Sequence, residues 1–327
     1  MNTAVKPLDR RFCIAPMMDW SDRHCRYFWR QLSEHAVLYT EMVTTGALLY
    51  GNVEQHLRYN QEEHPIALQL GGSEPDALAR YAEMAEQWGY DEVNLNCGCP
   101  SDRVQNGAFG ACLMAEPALV AKGIKAMQDA CGIPVTVKHR IGIDDQDSES
   151  DLFNFVDHVA SASCKTIIVH ARKAWLKGLS PKENRDIPPL DYDRVYRLKE
   201  QFPELEIIIN GGIETIEASK THLQQVDGVM VGRAAYQNPY LLSEVDRAIY
   251  GSEGEINRQT VMDAMLEYVE REIAQGAKLN YITRHILGLY NGLPGAKQFR
   301  RHLSENAYKV EANADTLRTA ASLVKAA

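Results

Sequence analysis

Eight short runs rich in Val, Ile and Leu recur along the chain, each followed by a polar, helix-period segment, and no other feature narrows the possible folds so far. The runs are FCIAPM (12–17), VLYTEM (37–42), IALQL (66–70), EVNLN (92–96), VTVKHR (135–140), TIIVHA (166–171), EIIING (206–211) and GVMVG (228–232). Near-continuous apolar strands are buried on both faces, because alternation with polar residues is expected only where one face meets water. Between the runs, SEPDALARYAEMAEQWG carries Ser73 as an expected N-cap, Asp76 three residues on and Gly89 as a stop. SESDLFNFVDHVASA likewise opens on Ser148 with Asp151 in the third position. Eight strand–helix units predict an α/β chain closed into a (β/α)8 TIM barrel over residues 1–240, rather than an open doubly wound sheet. No G-x-G-x-x-G follows any strand, so the usual support for a Rossmann dinucleotide site is missing.

Beyond about residue 240 the strand signal stops. In NRQTVMDAMLEYVEREI, Val261, Met265, Val269 and Ile273 recur at four-residue steps, and YITRHILGLYNGLPGAKQFRRHLSENAYKV continues helically around a Gly-Pro-Gly break at 292–295. Residues 241–327 are therefore expected to form a C-terminal helical domain. A chain of 327 residues with 45% apolar content is long enough for one large domain and such an appendage.

The opening MNTAVKPLDR lacks a secretion signal and no apolar run reaches the ~18 residues of a membrane span, so a cytoplasmic protein with no membrane partner is expected. Seven irregularly spaced cysteines fit reduced thiols better than a disulfide framework. The net charge of −9 argues against a wholly nucleic-acid-coated surface. Two basic clusters stand against it. Arg172, Lys173, Lys177, Lys182 and Arg185 face only Glu183 between 172 and 185, and residues 279–327 hold a second group that includes Lys297, Arg300 and Arg301.

In a parallel barrel the working residues sit at the C-terminal strand ends. Here those ends carry Met17 after Pro16, Gln69, Asn94, Asn96, Lys138, His170, Asn210 with Gly211 and Gly212, and Gly232 with Arg233. Singly, each has a bland explanation: a turn closed, a backbone group satisfied, a core histidine. A ring of such groups around one mouth does not. Gly211-Gly212 and Gly232-Arg233 follow strands seven and eight, where barrels commonly bind phosphate on exposed N–H groups. Lys138 and His170 fall deeper, where a cation beside a planar ring stabilises negative charge. FMN, a phosphate-tailed isoalloxazine, answers both observations.

The stretches APMMDWSD, ALQLGG, NLNCGCPSDRVQNGAFGACLM, VKHRIGID, VHARKAWLKGLSPKENR, INGGI and DGVMVGRAAYQNP together resemble the tRNA-dihydrouridine synthases, most closely their A subfamily, across nearly the whole chain. The resemblance implies an FMN-dependent oxidoreductase, reduced by NADPH, that saturates D-loop uridines 20 and 20a of tRNA. It implies flavin contacts at Pro16, Met17, Met18, Gln69, Lys138, His170, Asn210, Gly211, Gly212, Gly232 and Arg233. Contacts to tRNA are implied at Asn96, Lys182, Arg185, Gln298 and Arg301.

Saturating the uracil C5=C6 bond needs a hydride at C6 and a proton at C5, and a thiol that is protonated at neutral pH can supply the proton. Strand alternation puts Cys97 and Cys99 on the same side and cannot choose between them. Cys99 lies beyond Gly98 and before Pro100, where the chain must leave the sheet. In the resembled family the cysteine of GCP is the proton donor, which implies Cys99, with Cys97 structural. The following loop, through Gly107 and Gly110, has the freedom to close over an extruded base. A zinc site on Cys97, Cys99 and Cys112 matches no common ligand spacing, so no metal is expected. Two competing readings remain. A dihydroorotate dehydrogenase-like reductase of a free pyrimidine would not need the basic loop or the appendage, and a flavin-free RNA-binding barrel would purify colourless. The chain is expected to be a monomer.

Overall fold

The computed structural model describes residues 8–101 and 107–325. Eight strands form a closed, all-parallel barrel in sequence order: β1 (Phe12–Ile14), β2 (Val37–Thr44), β3 (Ile66–Gly71), β4 (Glu92–Cys97), β5 (Val135–Arg140), β6 (Thr166–His170), β7 (Glu206–Asn210) and β8 (Gly228–Val231). The ring closes where Phe12, Cys13 and Ile14 pair with Val229, Met230 and Val231. All eight apolar runs are strands. β1 stops at Ile14, two residues before Pro16, which has no N–H to continue a ladder.

Alternation along each strand separates two cores. Outward residues such as Val93, Leu95, Val135, Val137, Ile167 and Val169 pack under the surrounding helices. Inward residues Cys13, Val37, Tyr39, Ala67, Ile168, Ile208 and Met230 fill the barrel interior. The helix Glu149–Ser161 has the expected capping box: Ser148 Oγ accepts from Asp151 N and Asp151 Oδ2 from Ser148 N, both at 3.1 Å. Ser73 is not a cap. The helix it precedes runs Pro75–Trp88 from Glu74, because proline's fixed φ suits the first helical position and removes an N–H that would need satisfying. Gly89 closes that helix at φ 87°, as a left-handed C-cap.

After β8 the chain is helical, with Arg258–Ala274, Leu279–Ile286, Ala296–Asn306 and Ala314–Ser322 as the longer elements. Val261, Met265 and Val269 are buried, and Ile273 is partly so. These helices lean on the helix Arg23–Arg30 that follows β1. Tyr27 stacks on Tyr268 with ring centroids 3.9 Å apart, and Asp22 reaches Arg284 at 2.8 Å and His285 at 2.9 Å. Asp22 also caps its own helix by accepting from His24 N and Cys25 N, so one carboxylate both starts the helix and ties it to the C-terminal segment. Among the described residues no helix is long and apolar enough to cross a membrane.

Candidate functional site

The C-terminal strand ends open into a cavity of about 450 Å³, ample for a cofactor-sized ligand. Pro16, Met17 and Met18 line it after β1, Gln69 from β3, and Asn96 with Cys99 from β4 and its turn. Lys138 and His170 enter from β5 and β6, Asn210, Gly211 and Gly212 from β7, and Gly232 with Arg233 from β8. Asn94, another of the strand-end candidates, is fully buried and lies one step below, bonded to Gln69 and Thr136.

Several walls of this cavity are cationic. Lys138 Nζ donates to Asn210 Oδ1 at 3.0 Å, a neutral acceptor, and burial with repulsion from Arg140 lowers its pKa to about 7. Burial, with Arg140 and Lys138 adding to it, likewise drives His170 well below its ordinary value. Among the described residues no carboxylate pairs with Lys138, and cations held this close favour an anionic or electron-rich occupant. Glycine is required after β7: Gly211 and Gly212 adopt φ 119° and 67°, and a Cβ on Gly211 would lie 2.8 Å from the His170 ring. A Cβ on Gly232 would meet only Ala15 and Met17, at 3.8 and 4.0 Å, so its backbone faces open space. These residues fit a planar ring over Lys138 and His170 with a phosphate beside the glycines.

Arg233 is not the free charge that its sequence position suggests. Its guanidinium pairs with Asp186 Oδ1 at 2.7 Å, one residue beyond the basic stretch of the β6 loop. Arg185 of the same loop lines the cavity, whereas Lys182 is exposed and is not part of its lining. Gln298 and Arg301 are exposed on the helix Ala296–Asn306, outside the cavity, and Arg301 pairs with Glu305 at 2.7 Å. Asn96, grouped by resemblance with these tRNA contacts, lies instead inside the barrel mouth.

β4 separates the two cysteines. Cys97 is its last residue and points outward into the packed shell, fully buried, where burial pushes its thiol far up. The chain then turns at Gly98, and Cys99 lines the cavity. Burial raises its thiol too, outweighing a backbone hydrogen bond from Ser101 and the charges of Arg140, Arg185 and Lys138, so the thiol stays protonated near neutral pH. Asn96 Oδ1 accepts from Gly98 N at 3.1 Å and Cys99 N at 3.0 Å, fixing the turn. The loop expected to close over a base falls partly on residues 102–106, outside the described residues; Ala108 and Gly110 that follow have φ 53° and 76°.

Sequence reasoning passed over Arg140. It is buried at the end of β5, donating from Nε to Gly98 O at 2.9 Å and from Nη1 to Asn184 O at 3.0 Å and Lys173 O at 3.2 Å. It thus clamps the Cys99 turn to the basic β6 loop. Its signal was its place in VKHR at a strand end, two residues from Lys138. Among the described residues no cluster of His, Cys, Asp and Glu could hold a metal ion, and all seven cysteines are free.

Residues 13–325 match the family described as Dihydrouridine synthase (Dus). The chain is 61% identical over 316 residues to a tRNA-dihydrouridine(20/20a) synthase of Shewanella oneidensis, covering 96% of this chain and 94% of that protein. Proteins of the same name from Salmonella typhi and Yersinia pestis are 60% and 58% identical, again over 96% of this chain and over 95% and 92% of theirs.

Proposed function

The chain belongs to the dihydrouridine synthase family, and on that premise we propose that it is a tRNA-dihydrouridine(20/20a) synthase, an oxidoreductase acting on D-loop uridines of tRNA in the cytoplasm as a monomer. The observation that carries this reading is Cys99: a protonated thiol turned into a cation-lined cavity large enough for a ring and a base together. Bound FMN, renewed by NADPH, supplies a hydride to uracil C6.

The protein's own residues do the rest. Gly211, Gly212 and Gly232 offer backbone N–H groups to the phosphate, with Arg233 beside them. Lys138 and His170 would hold the ring, Lys138 supplying a cation to balance negative charge on it. Pro16, Met17, Met18, Gln69 and Asn210 complete its walls. Cys99 Sγ–H gives its proton to C5, the carbon that gains electron density when hydride reaches C6, and the resulting thiolate is stabilised by Arg140, Arg185 and Lys138. The uridine must leave its stack to reach this depth, so the tRNA needs a grip outside the cavity. Lys182 on the β6 loop, with Gln298 and Arg301 on the C-terminal helices, supplies it; Arg185 meets the tRNA at the cavity mouth, and Asn96 meets the base. In this reading residues 1–240 carry the chemistry and part of the tRNA surface, and 241–327 form the helical tRNA-binding domain.

Two measurements test the proposal. The purified protein should show flavin absorbance that NADPH bleaches, and mass spectrometry of tRNA from a strain lacking the gene should show unmodified uridine at positions 20 and 20a, restored by the gene. Dihydrouridine unchanged at both positions overturns it.

A further inference from the structure

Beneath Cys99 the barrel interior holds a file of polar groups, of which Glu92, Thr136 and Asn94 have no part in the reaction as described. It begins at Glu92, fully buried at the start of β4. Its Oε2 accepts from Arg10 Nε at 2.6 Å, and its Oε1 from Tyr39 OH at 2.7 Å and Thr136 Oγ1 at 2.6 Å. Thr136 has one proton and gives it to Glu92, so its oxygen can only accept, and Asn94 Nδ2 donates to it at 2.8 Å. That turns the Asn94 carbonyl toward Gln69, whose Nε2 donates to it at 2.8 Å. Gln69 Oε1 then accepts from Asn96 Nδ2 at 2.8 Å. Only then is Asn96 Oδ1 left to accept the N–H groups of Gly98 and Cys99.

Every donor in this file points toward Glu92. Reversing any one amide would set two lone pairs, or two N–H groups, against each other in a dry interior, so the orientation of the last amide is decided by the carboxylate at the first position. Satisfying buried groups does not require such an arrangement: β6, β7 and β8 contribute Ile168, Ile208 and Met230 to the interior. The unbroken file from Glu92 to Asn96 runs up the β3, β4 and β5 side, to the turn that carries the thiol.

We infer that Glu92, acting through Thr136, Asn94 and Gln69, fixes the Asn96 carbonyl on the Cys99 turn, making Thr136 and Asn94 positioning residues for proton transfer although neither touches a reacting atom. The inference rests on Cys99 being the proton donor. Thr136→Val keeps the shape and breaks the file, leaving Asn94 free to turn over and Gln69 and Asn96 to follow. Thr136→Ser restores the hydroxyl.

The first readout is alkylation of Cys99 by iodoacetamide, followed on its own peptide by mass spectrometry with Cys112 as internal reference. Loss of the turn's hydrogen bonds in Thr136→Val should speed it by up to roughly tenfold. The second is reoxidation of the reduced flavin by tRNA, which should slow by about the same factor while tRNA affinity stays within about twofold, since every phosphate-binding side chain is kept. Thr136→Ser should behave as the parent in both. A Thr136→Val protein with a lower melting temperature but parental Cys99 alkylation and reoxidation overturns the inference and makes the file a structural one. Should that variant not fold, Thr136→Ala makes the same break without bulk and is judged by the same two readouts. If tRNA fails to reoxidise the parent protein, the proposed function falls instead, and the alkylation result still decides whether Glu92 governs the turn.

Discussion

Flavin binding should fall as pH rises above neutrality, because Lys138, the cation proposed to hold the ring, is close to losing its proton. Among the described residues Lys138 donates to the Asn210 amide, and burial followed by repulsion from Arg140 brings its pKa down to about 7. An anion entering the cavity favours the charged form, so the pKa in the complex lies above that of the free protein. The contribution of that charge is therefore fully present below about 7 and is lost as pH climbs toward the value in the complex. One linked proton sets the limit: affinity for FMN should drop by up to about tenfold, or ~1.4 kcal/mol, for each pH unit above 7. The ligand does not mask this, since a phosphate monoester with a second pKa near about 6 is already a dianion across the window. Fluorescence titration of flavin-stripped protein with FMN between pH 7 and 9 gives the slope. Lys138→Met keeps the length of the stem and removes the charge; it should bind more weakly at pH 7 and give a flat profile. A Met variant with the parental slope would put the titrating group elsewhere and refute the assignment of Lys138.

Cys99→Ala should leave reduction of the flavin by NADPH intact and slow its reoxidation by tRNA by roughly 10²- to 10⁴-fold, the worth of a general acid; Cys97→Ala should be mild, and exchanged phenotypes in stopped-flow traces would reverse the assignment. Neutralising Lys182, Arg185 and Arg301 together should spare NADPH oxidation while weakening tRNA binding, and each cation removed from a phosphate should lower the log–log salt slope by just under ~1. Filter binding at several salt concentrations checks this, and an unchanged slope would favour a small-molecule substrate. Asp22→Ala removes a helix cap and the partner of Arg284 and His285 at once, so thermal denaturation should show a loss of about 2–3 kcal/mol. Burial alone would raise the Asp22 carboxyl, but His285 and Arg284 hold it well below the usual carboxylate range. Its contribution is thus present above the unfolded pKa of about 3.9 and is lost as pH falls below it, so parent and variant should converge in stability in acid.

The eight strands and the ring of polar strand ends were legible in the sequence because both follow from local rules. Apolar runs with helical spacers specify parallel strands wherever the chain folds, and closure brings their C-terminal ends to one mouth, so Gln69, Lys138, His170 and Asn210 meet without any knowledge of the loops. Ser148 and Asp151 were readable for the same reason, three residues being one helical turn. Ser73 misled because proline at the next position but one moved the helix start. What tertiary structure alone decided depends on distances between segments far apart in sequence. Alternation put Cys97 and Cys99 on one side; the turn at Gly98, held by Asn96 and Arg140, sends one into the packed shell and the other into the cavity. Arg233 reads as a lone phosphate ligand until Asp186, 47 residues earlier, is folded against it. The direction of the amides from Glu92 to Asn96 appears in no residue taken singly, since each side chain can donate or accept until the closed ring places a carboxylate at one end and two backbone N–H groups at the other.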